Sequence, residues 1–316
     1  MQAGFFAPLD PYATGALETG DGHVLYWETC GNPQGKAALF LHGGPGGGCS
    51  TDNRRLFDPD IYRIVLFDQR GAGRSRPLGS LENNTTQHLV ADIERLRAHL
   101  EVARWQVVLG GSWGATLALA YAQAHPQALK AIVLRGVFTA RRREIDWLYG
   151  DGARHLYPEA HAAFVNYLPA DERGDIIGSY FRRLTCGDEA TEMSAAAAWC
   201  GFESHLLTLL PRGPVFSGGQ ASPHTRALAR IEAHYFAHDA FMDEGQILAR
   251  AGRLQGIPGI IVQGRYDVVT PPVTAWELHQ AWPGSKLEIV PDAGHATVEP
   301  GVQRALVRAT SHFAGA

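Results

Sequence analysis

The chain has 316 residues, of which 45% are hydrophobic and 19% charged, and its formal net charge is −4. This balance predicts a globular protein with one large domain, or one domain that carries an insertion. The slightly acidic charge argues against a nucleic-acid-binding surface, and no apolar run reaches the roughly 18 residues that suggest a membrane-spanning helix.

The N-terminal residues lack the basic start and the long apolar core of a signal peptide. The four cysteines, Cys30, Cys49, Cys186 and Cys200, are scattered and do not have the spacing of a zinc site or of a disulfide framework. We therefore expect a cytoplasmic protein with reduced thiols.

Apolar runs typical of strands alternate with helical patterns in the first part of the chain. The predicted strands there are 22–30, 37–44, 62–71, 105–112 and 131–136. The predicted helices are 85–100, with a capping Thr85 or Thr86, and 115–126, which ends at a proline. Near-continuous apolar strands that alternate with helices predict a mostly parallel, buried sheet.

The same alternation returns near the C-terminus. The predicted strands there are 257–267 and 285–295, and the predicted helices are 273–282 and 298–314.

The middle of the chain differs, because it is rich in helical patterns and has no run typical of a parallel strand. Within it, SGGQASP (217–223) is predicted to be a short loop. We therefore expect an α/β protein in which residues 1–140 and 241–316 form one discontinuous domain and residues 141–240 form an inserted helical cap.

A G-x-S-x-G motif, Gly110 to Gly114, lies where the fourth predicted strand passes into a helix. Such a turn strains the backbone at the serine and leaves room only for small neighbours. It lifts the hydroxyl above the edge of the sheet, next to a helix N-terminus that favours negative charge. We therefore predict that Ser112 is a nucleophile rather than an incidental serine in a glycine-rich turn.

A serine hydroxyl needs a base to take its proton and an acid to orient that base. His295 follows the last predicted strand in the loop DAGH and can reach back over the sheet, whereas the rival His42 begins a glycine loop. Asp267 follows the preceding strand and gives the chain order Ser, Asp, His that is typical of a serine nucleophile in such a strand–turn–helix setting. The rival acid, Asp292, is better placed to cap a turn, so the predicted triad is Ser112, Asp267 and His295.

The segment HGGPGGG, residues 42–48, exposes backbone N–H groups directly after a predicted strand. The amides of Gly44 and Trp113 are predicted to bind the oxyanion of a tetrahedral intermediate. The sequence leaves open whether Gly43 or Gly44 donates. A phosphate-binding loop is the alternative, but neither a following Gly-Lys-Ser/Thr nor a GxGxxG pattern is present.

Five segments together resemble the prolyl aminopeptidases (proline iminopeptidases) of the α/β-hydrolase fold. They are HGGPGGG, FDQRGAGRS (67–75), GGSWGATLAL (110–119), GRYDVVTP (264–271) and AGH (293–295). As a set they are specific, and the similarity extends over nearly the whole chain. The resemblance implies a mostly parallel sheet flanked by helices, an inserted helical cap, and a serine peptidase that removes N-terminal proline from peptides without a metal or cofactor.

The resemblance also implies how the substrate is recognised, because family members bind its free secondary amine with glutamates of the cap. The segment WCGFESH (199–205) resembles one glutamate-bearing element of the family and assigns Glu203. The segment ARIEAHYF (229–236) resembles the other and assigns Glu232.

Phe138 and Tyr149 stand where the family places aromatic walls around the pyrrolidine ring. Two departures from the family pattern are visible. Phe202 replaces a usual tryptophan, which could alter the pocket, and Ala72 replaces a common cysteine. Neither departure removes a reacting group.

Asp68 and Arg70 of the segment DQRG are predicted to brace the glycine loops rather than to react. A carboxylesterase or an amidase of the same fold, with a different acyl pocket, is the nearest alternative function. A non-catalytic small-ligand binder is a second alternative, which the intact set of Ser112, Asp267 and His295 disfavours. The oligomeric state and the strictness of the preference for proline are left open.

Overall fold

A computed structural model describes residues 4–210 and 221–315. Its centre is an eight-stranded sheet with the strand order β1-β2-β4-β3-β5-β6-β7-β8. The strands are β1 Ala13–Glu18, β2 Val24–Gly31, β3 Lys36–Leu41, β4 Tyr62–Phe67, β5 Val107–Ser112, β6 Ile132–Val137, β7 Gly259–Gly264 and β8 Ser285–Val290. The pairs β1–β2 and β2–β4 are antiparallel, and the other neighbouring strands are parallel. The predicted mostly parallel sheet is confirmed.

Helices cover both faces of this sheet. They are α1 Thr51–Arg54, α2 Thr86–His99, α3 Trp113–Ala124, α4 Arg142–Tyr149, α5 Pro158–Asn166, α6 Ile176–Leu184, α7 Glu189–Leu206, α8 Pro223–Ala237, α9 Gln246–Ala249, α10 Pro272–Ala281 and α11 Pro300–Ala314. Leu39 and Leu41 of β3 pack in a cluster with α2 and α3, whereas Ala38 and Phe40 pack in a second cluster with α11. Because side chains alternate along a strand, each face of the sheet has its own core.

The structure differs from the sequence prediction at one edge of the sheet. The prediction missed β1, whose sequence ATGALE pairs antiparallel with β2 and is exposed at alternate residues. Glycine and alanine are poor strand formers and give little apolar signal.

The predicted strands 62–71, 257–267 and 285–295 also extend too far, because their last residues leave the sheet and form the loops of the candidate site.

Between β6 and β7 the described part of the chain forms helices and turns without a strand. Helices α6, α7 and α8 pack on one another there, and α7 ends close to the loop after β8. The backbone N–H groups of His295 and Ala296 donate to the carbonyl of Leu207, at N–O distances of 3.0 and 2.8 Å. Most of the loop predicted at 217–223 lies outside the described residues. No helix within the described ranges is long and apolar enough to cross a membrane.

Candidate active site

Ser112 lies at the turn from β5 into α3, with backbone angles φ 58° and ψ −124°. A positive φ at a residue with a side chain costs about 1–3 kcal/mol and persists only where the surroundings hold it. Here the turn is tight: a Cβ built on Gly110 would lie 2.0 Å from the carbonyl oxygen of Gly114. The predicted strand–turn–helix setting of Ser112 is therefore present, and its side chain faces a cavity above the sheet.

His295 and Asp267 are joined by a hydrogen bond of 2.8 Å between Nδ1 and Oδ2. Asp267 also accepts bonds from the Thr270 N–H at 2.8 Å, from the Thr270 hydroxyl at 3.0 Å and from the Gln263 amide at 3.0 Å. Both Asp267 and His295 are buried, whereas the rival acid Asp292 is exposed. The fixed and fully bonded carboxylate is suited to orienting the imidazole ring.

The other ring nitrogen of His295, Nε2, lies 2.8 Å from Nη1 of Arg135, which projects from β6. A guanidinium can only donate, so Nε2 accepts this bond and the ring proton lies on Nδ1. This is the tautomer that a general base requires. Burial lowers the pKa of His295, Asp267 opposes that shift and the charge of Arg135 adds to it. His295 is therefore neutral, and suited to accept a proton, near neutral pH.

The glycine loop passes directly beside the serine. A Cβ on Gly43 would lie 3.3 Å from Cβ of Ser112, and both Gly43 and Gly44 line the cavity. Trp113 is the first residue of α3, so its N–H group has no partner within the helix. Of the two predicted oxyanion donors, Trp113 is thus the chain neighbour of Ser112, and Gly44 lies in the loop that lines the same cavity.

His42, the rival base, holds this loop in place. Its Nε2 accepts a bond of 2.9 Å from the backbone N–H of Gln69, and its Nδ1 lies 3.2 Å from the N–H of Gly48. The Gln69 amide donates to the carbonyl of His42 at 2.9 Å and accepts from the Trp113 indole at 3.0 Å. Backbone groups thus engage both ring nitrogens of His42, which favours a structural role for it.

Asp68 and Arg70 make similar bracing contacts. Asp68 accepts bonds from the backbone N–H groups of Cys49, at 2.7 Å, and Arg74, at 2.8 Å. Arg70 forms a two-pronged ion pair with the buried Asp92, at 2.6 and 2.8 Å. These contacts tie the loop after β4 to its neighbours and support the predicted structural role of both residues.

Two carboxyl groups lie close together in the wall of the cavity, Glu203 from α7 and Glu232 from α8. The Tyr149 hydroxyl donates to Glu203, and the Trp199 indole donates to Glu232 at 2.8 Å. Burial raises the pKa of Glu203 to about 7, and burial together with the charge of Glu203 raises the pKa of Glu232 well above its usual range. The pair therefore holds a proton near neutral pH, and a cation bound between the two carboxyl groups would favour their ionised forms.

The raised pKa values of Glu203 and Glu232 predict that the stability of the fold decreases as the pH rises. A carboxyl whose folded pKa lies above its unfolded value stabilises the fold fully at low pH and loses that contribution as the pH rises through the folded pKa. For Glu203 the loss runs from about pH 4.5 through about pH 7. We expect Glu203→Gln, which ends this titration and can still donate to Glu232, to be more stable than the wild type at pH 8 by up to about 3 kcal/mol, the free energy that corresponds to a rise in pKa from 4.5 to about 7.

Urea unfolding at pH 5 and pH 8 measures this difference, which should nearly vanish at pH 5. The control is Glu159→Gln on α5, because Glu159 is exposed. Equal stability of wild type and Glu203→Gln at pH 8 would show that the glutamate pair carries no charge penalty.

The cavity between the triad and the glutamates has a volume of ≈ 320 Å³, at the small end of the range for ligand sites. Its walls include Phe138, Tyr149 and Phe236, and the Phe236 ring centroid lies 5.9 Å from that of Phe138 and 5.7 Å from that of Tyr149. The predicted pocket aromatics therefore do face the site. Phe202 lies one layer behind, 6.2 Å from Tyr149 by ring centroids.

Sequence reasoning missed three residues of this site: Arg135, Trp199 and Phe236. Arg135 ends a predicted strand of otherwise apolar residues, and a charged residue at the carboxyl end of a parallel strand is the signal that could have marked it. Trp199 and Phe236 lie inside the two segments that assigned the glutamates, but helical spacing alone does not separate pocket aromatics from core ones.

The chain is similar to known α/β hydrolases. The family model of the alpha/beta hydrolase fold matches residues 37–302. A curated proline iminopeptidase of Xylella fastidiosa is 52% identical over 98% of both chains, and one of Neisseria gonorrhoeae is 45% identical over 95% of both chains. A proline iminopeptidase of Arabidopsis thaliana is 48% identical over 96% of this chain and 80% of its own length.

Solved structures agree on the fold. A proline iminopeptidase-related protein from Thermus thermophilus superposes with a TM-score of 0.60 at 24% identity, covering 96% of this chain and 97% of that protein. An esterase from Exiguobacterium antarcticum superposes with a TM-score of 0.62 at 18% identity, covering 94% and 98%. Both likenesses concern the α/β-hydrolase fold, whereas the curated relatives are similar throughout their sequences. On their identity and coverage, the chain belongs to the proline iminopeptidase family of the α/β-hydrolase fold.

Proposed function

We propose that the protein is a prolyl aminopeptidase, a serine peptidase that releases N-terminal proline from short peptides. One observation carries the proposal: a single small cavity is lined both by Ser112 and His295 and by the neighbouring carboxyl groups of Glu203 and Glu232. The similarity to curated proline iminopeptidases supports it.

Ser112 attacks the carbonyl carbon of the prolyl residue while Nε2 of His295 accepts its proton. The amides of Gly44 and Trp113 stabilise the oxyanion that forms. His295 then donates the proton to the departing nitrogen, which leaves as the free amine of the shortened peptide, and an acyl-enzyme remains. Water, activated by His295, attacks the acyl-enzyme and releases proline and Ser112. Asp267 orients the imidazole throughout, and every step uses only this chain, the peptide and water.

The glutamate pair explains why cleavage occurs one residue from the N-terminus. The prolyl nitrogen of a free peptide is cationic, and Glu203 and Glu232 bind it by charge and hydrogen bonds. Phe138, Tyr149 and Phe236 enclose the pyrrolidine ring. A blocked or extended N-terminus would have to leave the carboxylates unpaired, which is costly in a buried site.

We also propose that residues 141–240 act as a cap on a catalytic unit of residues 1–140 and 241–316. In this division the cap supplies Tyr149, Glu203 and Glu232, and the catalytic unit supplies the triad. Substrate selection and bond cleavage are thereby assigned to different parts of the chain.

The proposal is tested with wild-type protein and four 4-nitroanilides, the prolyl, alanyl, leucyl and N-acetyl-prolyl forms. Strong preference for the free prolyl form is expected, with loss of cleavage on acetylation. Equal cleavage of acetylated or leucyl substrates would instead support an amidase or esterase, the alternative that shares the triad. Absence of both turnover and fluorophosphonate labelling would indicate a binding protein.

Glu203→Gln should lower kcat/KM for the prolyl anilide by about 10²-fold or more, since breaking a buried charged pair costs about 3–5 kcal/mol. Hydrolysis of 4-nitrophenyl acetate, which has no amine, should change little. Glu159→Gln is again the matched control. A parallel loss on both substrates would mean that Glu203 supports the triad rather than the amine.

A further inference from the structure

Arg135 is a cation without a carboxylate partner inside the candidate active site. Its guanidinium donates to His295 Nε2 at 2.8 Å, while its buried Nε has no hydrogen-bond partner. Among the described residues no carboxylate forms an ion pair with it. Burial lowers the pKa of Arg135 to about 10, and the charge of Asp267 opposes that shift only in part.

This arrangement is unfavourable for catalysis. The lone pair of Nε2 that must accept the proton of Ser112 is engaged by Arg135. A positive charge at this distance also disfavours the imidazolium that forms during the reaction. The guanidinium must therefore turn away, or gain an anionic partner, before the reaction proceeds.

The wall of the cavity carries groups of opposite character. The carboxyl groups of Glu203 and Glu232 line the same cavity as the guanidinium of Arg135, which lies beside His295. A substrate with a cationic amine at one end and a carboxylate near the reacting bond would complement both. A dipeptide that begins with proline is such a molecule.

The reach of a dipeptide fits this site. The departing nitrogen must approach Nε2 of His295, because it receives its proton there. In a dipeptide the C-terminal carboxylate carbon is two bonds from that nitrogen, a distance of about 2.5 Å. Since Arg135 Nη1 is 2.8 Å from Nε2, a small rotation of the guanidinium brings it to the carboxylate, where it can donate two parallel bonds.

We propose that Arg135 determines substrate length by binding the C-terminal carboxylate of dipeptides with N-terminal proline, and that this contact withdraws Arg135 from His295 Nε2. The inference rests on the proposed aminopeptidase function and makes it narrower. The preferred substrates of the protein are then free dipeptides, because longer peptides and amides lack a carboxylate at the required position.

The test compares prolyl-alanine, prolyl-alaninamide and prolyl-alanyl-alanine with wild-type protein, and measures kcat/KM for each. We expect the free dipeptide to be favoured by about 10- to 100-fold, the range of a hydrogen bond to a charged group. Equal values for dipeptide and amide would overturn the inference while leaving the proposed function intact. If neither the three peptides nor the prolyl anilide were cleaved, the proposed function itself would be contradicted.

Two variants assign the preference to this side chain. Arg135→Gln should abolish the difference between dipeptide and amide, and Arg135→Lys, which keeps the charge without the planar fork, should retain part of it. An equal loss on both substrates in Arg135→Gln would show that Arg135 only positions His295, and would overturn the inference. If Arg135→Gln does not fold, as judged by circular dichroism, the wild-type series decides.

Discussion

Replacing Ser112 with alanine should lower kcat for prolyl anilide on the order of 10⁶-fold, the loss seen when the nucleophile of a serine peptidase is removed. The reason is chemical, because no other group at this turn can form the acyl-enzyme. Binding should survive, since the carboxylates and aromatic walls lie elsewhere in the cavity. Steady-state kinetics measure the loss of turnover. Fluorophosphonate labelling, with the label located by mass spectrometry, shows whether Ser112 is the residue that reacts.

Ser204→Ala is the matched control, since Ser204 lies on α7 beside Glu203 and donates only to the backbone carbonyl of Gly201. It should retain nearly full activity and label normally. If Ser112→Ala kept several per cent of wild-type turnover, or still took up the label, the nucleophile would have to be sought elsewhere.

Asp267→Asn should cost about 10⁴-fold in kcat, as the equivalent change does in other triads. The amide of asparagine can donate to Nδ1 of His295, which would then carry its proton on Nε2 and could not accept one from Ser112. The Thr270 and Gln263 contacts show how tightly the carboxylate is held, so the loss should be in kcat rather than in KM.

Asp292→Asn distinguishes the two candidate acids near His295. Asp292 is exposed and three positions before the base, and its replacement should change kcat less than twofold. Comparable losses in the two variants would mean that the loop before His295, rather than one carboxylate, sustains the activity.

The triad could be predicted because each member follows a strand in a recognisable setting. Ser112 stands in a motif that requires a particular turn, and Asp267 and His295 follow consecutive late strands. Loops at the carboxyl ends of parallel strands converge, and in the structure His295 is hydrogen-bonded to Asp267 and lines the same cavity as Ser112. The same reasoning could not place Arg135 against His295, because that contact depends on which way one side chain turns at the end of β6.

The glutamates needed the family resemblance. A glutamate on a helix is usually solvated, and nothing in helical spacing distinguishes Glu203 or Glu232 from an exposed residue. Their special environment arises from packing between α7 and α8, where Tyr149 and Trp199 supply hydrogen bonds. Such contacts between distant segments are set by tertiary structure. The edge strand β1 was missed for a simpler reason, its weak apolar pattern.

The hydrogen bonds from His295 and Ala296 to the carbonyl of Leu207 link the loop of the base to the end of the helix that carries Glu203. A mechanical coupling follows. Any motion that displaces the end of α7 removes a support of His295 and also moves Glu203, the proposed binding group for the substrate amine. Partial opening should therefore switch off recognition and proton transfer together, so that the protein passes between a fully competent state and an inert one without an intermediate that cuts unselectively.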